Sequence, residues 1–132
     1  MAEFENVGLT APRVLLVEDI RVDRVVLSAM LRRFNCDTTI ALNGKEAVDL
    51  FYEGETFDLV LLDKDMPVMT GPEAVAKIRA MGATDVLIFG VSADLGGPEA
   101  FMRAGADGFI TKPMALGVLE AIVEEIISKK SG

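Results

Sequence analysis

The chain of 132 residues contains no histidine and no tryptophan, and only one cysteine and one tyrosine. With no histidine, no proton transfer can pass through an imidazole of this chain. The lone Cys36 cannot close an internal disulfide, which fits a reducing compartment. No apolar run approaches the ~20 residues that a bilayer-spanning helix needs. The opening stretch "MAEFENVGLTAP" is acidic and lacks an apolar signal core, so residues 1–12 are expected to form a short tail on an intracellular protein. Cations are in the minority: 13 Lys and Arg stand against 21 Asp and Glu, a net charge of −8. That argues against a nucleic-acid backbone as the main partner, because such binding needs clustered Lys and Arg. It suits cations or a basic protein surface.

What the chain does have is apolar residues, 51% of the total, enough for the core of one compact domain. Their pattern alternates between two periods. "RVLLVE", "FDLVLL" and "DVLIFGVS" are short continuous runs, as in strands buried on both faces, and "DTTIAL" and "GFIT" are shorter strand candidates. Between them the period becomes helical. From Val22, the residues Val22, Val25, Val26, Ala29 and Met30 form one stripe, with Asp23, Arg24, Ser28 and Arg32 opposite. "NGKEAVDLFYEG" reads as a helix starting at Asn43, with Glu46 placed as in a capping box. "GPEAVAKIRAMG" and "GGPEAFMRAGA" share a Pro-first, Gly-last pattern. "MALGVLEAIVEEIISKK" closes the chain, with Lys129 and Lys130 complementing the dipole of its C-terminus. Strands alternating with helices at this spacing predict βα units and a parallel sheet covered on both faces. In such sheets ligands collect beyond the carboxyl ends of the strands.

The chemistry-bearing residues sit at those ends. Glu18 and Asp19 follow the first strand, Asp63 the third, Ser92 the fourth and Lys112 the fifth. Any one of these alone is ordinary surface; the agreement of four ends is the signal. Three carboxylates at one place repel unless something neutralises them. Mg²⁺ does so with oxygen ligands, one or two carboxylates and several waters. Lys112 adds a fixed positive charge and Ser92 a hydroxyl. A metal, a cation and a hydroxyl around one carboxylate stabilise a phosphoryl group in transit. On this reading Asp63, held by a rigid strand, is a nucleophile that accepts phosphate.

With Glu18-Asp19, "LLDKDMPVMTG", "GVSA" and "FITKP" in this order and spacing, the chain resembles the receiver domain of two-component response regulators over Arg13 to about Lys129. The resemblance implies a flavodoxin-like, doubly wound, five-stranded parallel sheet of order 2-1-3-4-5 with five helices. The receiver domain would span 13–129 and a tail 130–132. Asp63 would be the phosphoacceptor. Glu18, Asp19, Asp63 and the backbone carbonyl of Asp65 would hold Mg²⁺. Ser92 would be the switch hydroxyl, Lys112 would contact the phosphoryl group and have a cis peptide bond to Pro113, and Phe109 would change rotamer with Ser92. Asp65 and Asp94 would flank the path of the attacking water and, with Lys64, modulate the phosphate's lifetime. The upstream histidine would belong to a histidine-containing phosphotransfer protein or a histidine kinase, since this chain has none.

Some residues depart from the family's commoner choices. Glu18 replaces an Asp, Ser92 a Thr, and Phe109 a Tyr, while Lys64 after the acceptor is less usual. "DKDMP", "FGVSA" and "AFMRAG" make the chain similar to the small stand-alone plant response regulators often called type C, which implies a setting in cytokinin signalling. A monomer acting as switch, shuttle or phosphate sink in the cytoplasm or nucleus, without DNA or membrane binding, is the expected form. Self-phosphorylation and autodephosphorylation, with removal of phosphate from a partner's phosphohistidine, are the enzymatic activities open to such a receiver. Three alternatives stand beside it: a receiver cut from a hybrid histidine kinase, a receiver-like adaptor that is never phosphorylated, and a haloacid dehalogenase-like phosphatase using Asp63-Lys64-Asp65.

Overall fold

A computed structural model describes residues 11–131. The expected tail lies outside the described residues, except for Ala11 and Pro12. Five strands alternate with five helices. The strands are β1 (Arg13–Val17), β2 (Asp37–Ala41), β3 (Leu59–Asp63), β4 (Leu87–Ser92) and β5 (Gly108–Thr111). The helices are α1 (Arg21–Arg33), α2 (Gly44–Tyr52), α3 (Gly71–Ala80), α4 (Gly97–Ala104) and α5 (Leu116–Ser131). All pairings are parallel and the sheet order is β2-β1-β3-β4-β5, as the flavodoxin-like expectation requires.

The strand sequences explain the layering. Every residue of β3 is buried, including Asp63, because helices cover both faces of the central strand. Alternate residues feed two cores. Leu15, Val17, Val60 and Leu62 pack with α2, α3 and α4 residues on one face. Val14, Leu16, Leu59 and Leu61 pack with Leu27, Leu31, Leu119 and Val123 on the other.

Local chemistry sets the helix ends. Asn43 accepts from Glu46 N at 2.9 Å, but the Glu46 carboxylate answers to Leu42 N at 2.8 Å instead of Asn43 N, so the box is offset by one residue. Thr70 and Glu73 form a full reciprocal box at the start of α3. The α5 helix passes the 129 boundary expected from sequence, and Lys130 reaches back to Asp58 at 2.9 Å.

The α1 stripe expected from sequence faces the wrong way. Val22, Val25 and Val26 are exposed, while Leu27 and Leu31 are buried. The helix carries apolar residues on two faces, so periodicity alone does not choose between them. The inward face is the one on which Leu27 and Leu31 join the core and Arg24 donates to the carbonyls of Glu18 and Asp19 at 3.2 and 3.1 Å. An apolar surface is left uncovered beside the carboxyl ends of the strands. Among the described residues, no helix is long and apolar enough to cross a membrane.

Candidate functional site

Glu18, Asp19 and Asp63 each bring a carboxylate oxygen to within 4.8 Å of the others. The β1–β3 pairing puts the two strand ends side by side, since Val17 is level with Leu62. Glu18 is buried and accepts from Ile20 N at 3.3 Å. Asp63 is also buried, and it ends β3 in register with Val91. Burial pushes the Asp63 carboxyl above its ordinary range, against the pull of Lys112. The same holds for Glu18, where burial outweighs the hydrogen bond from Lys112.

Lys112 follows β5, and its peptide bond to Pro113 is cis. Its ammonium lies 3.0 Å from Glu18 Oε1 and 3.4 Å from Asp63 Oδ1. It also lies 2.8 Å from Asp23 Oδ2 on α1, a contact that strand-end reasoning missed. The available signal was an acid in the first turn of the helix that follows Glu18-Asp19. Burial pulls the Lys112 pKa down, but the hydrogen bonds to Asp23 and Glu18 more than offset this and the group is held well above its usual value.

Ser92 is buried and its Oγ accepts from Asp94 N at 3.0 Å. A Cβ placed on Gly97 would lie 2.7 Å from Phe109 Cε1 and 3.7 Å from Ser92 Cβ, so Gly97 leaves room where the aromatic ring and the hydroxyl-bearing residue come together. The Phe109 ring packs on Phe101 with centroids 6.0 Å apart. The loop after β3 is tight for a similar reason: a Cβ on Gly71 would overlap the Asp63 carbonyl, and Gly71 N donates to Lys64 O at 2.8 Å.

The structure does not bring every expected residue to the cluster. The Asp65 carboxylate is largely exposed and lies 3.6 Å from Lys64 Nζ. Lys64 and Asp94 are bound to each other at 2.6 Å, and the second Asp94 oxygen accepts from Gly96 N at 2.9 Å. Both Asp94 oxygens are therefore already engaged. The Lys64 contact is also the main reason the Asp94 carboxyl is held below its ordinary range.

A buried acid ending a central parallel strand, beside two further acids and a lysine from other strand ends, defines an α/β domain whose polar site lies at the carboxyl edge of its sheet. The family model described as "Response regulator receiver domain" matches residues 14–124, and the chain belongs to that family. It is a receiver domain of two-component systems. It is 60% identical to "Two-component response regulator ORR42" of rice (Oryza sativa subsp. japonica) over 119 residues, covering 90% of this chain and 89% of that protein. Among solved structures it resembles the receiver domain of sensor histidine kinase PA1611 from Pseudomonas aeruginosa, which holds a magnesium ion in its active-site cleft. The TM-score is 0.81 at 31% identity, over 89% of this chain and 98% of that one. It also resembles a structure of the Saccharomyces cerevisiae phosphotransfer protein Ypd1 with the receiver domain of Ssk1. There the TM-score is 0.77 at 26% identity, over 87% and 88% of the two chains. The dehalogenase-like alternative falls with the family assignment.

Proposed function

We propose that Asp63 accepts a phosphoryl group from a partner's phosphohistidine, with Mg²⁺ held by Glu18, Asp19, Asp63 and the carbonyl of Asp65. The observation that carries this reading is the buried Asp63 carboxylate, 3.4 Å from Lys112 and grouped with Glu18 and Asp19. The residues fit a hard divalent ion. Their donors are all oxygens, and Asp19 Oδ1 is buried with no hydrogen-bond partner among the described residues, a state that costs stability unless a cation or water meets it. When bound, Mg²⁺ supplies charge neutralisation for the acids and the phosphoryl oxygens.

The chain's own residues then do the following. An Asp63 oxygen attacks phosphorus as the P–N bond to the partner's imidazole breaks, and the bonding pair leaves with that imidazole. The product is an aspartyl phosphate. Lys112 stabilises the negative charge on the transferred group, and the Ser92 hydroxyl donates to it, leaving space that Phe109 fills. Water attack on the same phosphorus later releases phosphate and restores the carboxylate.

The partner is a histidine-containing phosphotransfer protein or a histidine kinase. The exposed Ile20, Val22, Val25 and Val26 beside the acceptor support docking of an apolar partner surface there. The similarity to a rice response regulator supports a stand-alone role in a plant-type relay, with cytokinin signalling as the setting.

Incubation with acetyl phosphate and Mg²⁺, followed by mass spectrometry, tests the assignment. One phosphoryl group is expected on wild type and none on Asp63→Asn. Equal labelling of Asp63→Asn would refute the acceptor role.

A further inference from the structure

We propose that Asp23 is a positioning residue that holds Lys112 back from Asp63 and so weakens the site's hold on a phosphoryl group. The proposal rests on the reading of Asp63 as acceptor and adds a competitor for the cation that this reaction needs.

The geometry is a three-way division of one ammonium. Lys112 Nζ is 2.8 Å from Asp23, 3.0 Å from Glu18 and 3.4 Å from Asp63. Two of its three protons therefore serve Asp23 and Glu18 at hydrogen-bonding distance, and the acceptor has the longest contact. Asp23 is not in the cluster of Glu18, Asp19 and Asp63, so it competes for the cation without competing for a metal. Its side chain borders an open apolar groove of about 440 Å³, shared with Val26, Met30, Lys112 and Met114. Lys112 leans toward that groove as well as toward the acceptor.

Stabilising a phosphoryl group on Asp63 requires the ammonium to advance toward it, and the Asp23 bond must lengthen. A charge-assisted bond between partly exposed groups resists this modestly. Two effects of removing the Asp23 charge act in the same direction. The ammonium is freed, and one negative charge near an incoming anion disappears. The opposing effect is loss of orientation for the lysine. Glu18 limits that loss, because its own contact to Lys112, 3.0 Å, does not depend on the Asp23 carboxylate. The net expectation is about fivefold tighter binding of a phosphoryl mimic in Asp23→Asn, which converts to about 1 kcal/mol.

The test is titration with beryllofluoride, Mg²⁺ present, followed by NMR. Asp23→Asn should bind about fivefold more tightly than wild type, and Asp23→Glu, which restores a carboxylate, should return toward wild type. A purely structural role would instead appear as a lower melting temperature without ligand and an unchanged or weaker affinity. The Lys112 Nζ resonance gives a second readout. It should move strongly on beryllofluoride addition in wild type, as its partner changes, and less in Asp23→Asn. Unchanged or weaker binding by Asp23→Asn overturns the proposal. If that variant does not fold, the wild-type lysine decides, since a Lys112–Asp23 contact that persists in the complex also overturns it. Failure of folded wild type to bind beryllofluoride at all overturns the acceptor reading and this proposal together. Wild-type binding with no gain in Asp23→Asn removes only the proposal.

Discussion

Replacing Asp63 with Asn should make the metal-free protein more stable while removing its chemistry. Asp63 faces two like charges, Glu18 and Asp19, with oxygens no more than 4.8 Å apart. At an effective dielectric constant of ~20, each such pair costs about 3.5 kcal/mol or more. Lys112, at 3.4 Å from Asp63, returns about 5 kcal/mol on the same scale. These three contacts alone leave about 2 kcal/mol against the ionised carboxylate; burial, the largest single cost, adds to it and the hydrogen bond from Lys64 N offsets part. An amide of nearly equal volume removes this cost, so the melting temperature of Asp63→Asn in a chelator should rise by roughly 5–10 °C. The pH dependence has a definite sign. Burial raises the folded-state pKa of Asp63, so the folded state binds the proton more tightly than the unfolded one. The wild type is therefore stabilised below the unfolded value near 4 and loses that stability as pH rises through the raised folded value. The stability difference between Asp63→Asn and wild type should widen as pH rises from 4 toward 7. Saturating Mg²⁺ should narrow it, because at one hundred times its dissociation constant a ligand adds about 2.7 kcal/mol to the form that binds it. Thermal unfolding followed by circular dichroism, with chelator and with Mg²⁺, reads all three effects. A variant less stable than wild type in chelator, or one that gains as much from Mg²⁺, would refute the electrostatic reasoning.

Four further outcomes follow from particular contacts. Asp19→Ala should lose most of the Mg²⁺-dependent rise in melting temperature, because Asp19 supplies one of the three clustered carboxylates; an unchanged rise would rule out the site. Gly90→Ala should destabilise by about 1–3 kcal/mol in urea unfolding, since a Cβ there would overlap the Phe101 ring, on which Phe109 packs. Val68→Gly should stabilise by about 1 kcal/mol, because Val68 in the loop after the acceptor sits at φ 73, where a β-branched residue is strained and glycine is not. Lys64→Ala should shorten the lifetime of the aspartyl phosphate and Asp94→Ala should change it less, because Lys64 occupies the Asp94 oxygen that would otherwise be free to orient water; decay of phosphorylated protein after removal of the donor measures both.

Much of the fold was legible because each element carries its own signal. The runs "LLV" and "LVLL" are too short for helices and too apolar for loops, so they read as strands buried on both faces, and they are. The Pro-first pattern located α3 and α4 from local backbone preference alone. Sequence also placed Glu18, Asp19, Asp63 and Lys112 at strand ends, and a parallel sheet brings all such ends to one edge. The orientation of α1 was not legible. Valines and leucines fall on two faces, and the inward one is known only from its contacts, with Leu27 and Leu31 in the core and Arg24 on the Glu18 and Asp19 carbonyls.

The division has a physical cause. Propensity, period and strand-end position are properties of a few neighbouring residues, and the sequence alone determined them: five βα units, a parallel sheet and acids gathered at one edge. Which charge meets which is a property of distance in space. Lys112 meets Asp23 across 89 residues of chain, and Lys64 meets Asp94 across 30. Neither partner can be read from spacing, because each acid has several cations within reach of its side chain until the strand order and the packing of α1 fix their positions. Tertiary structure alone decided that Lys112 is shared between Asp63 and α1, and that Asp94 is held by Lys64.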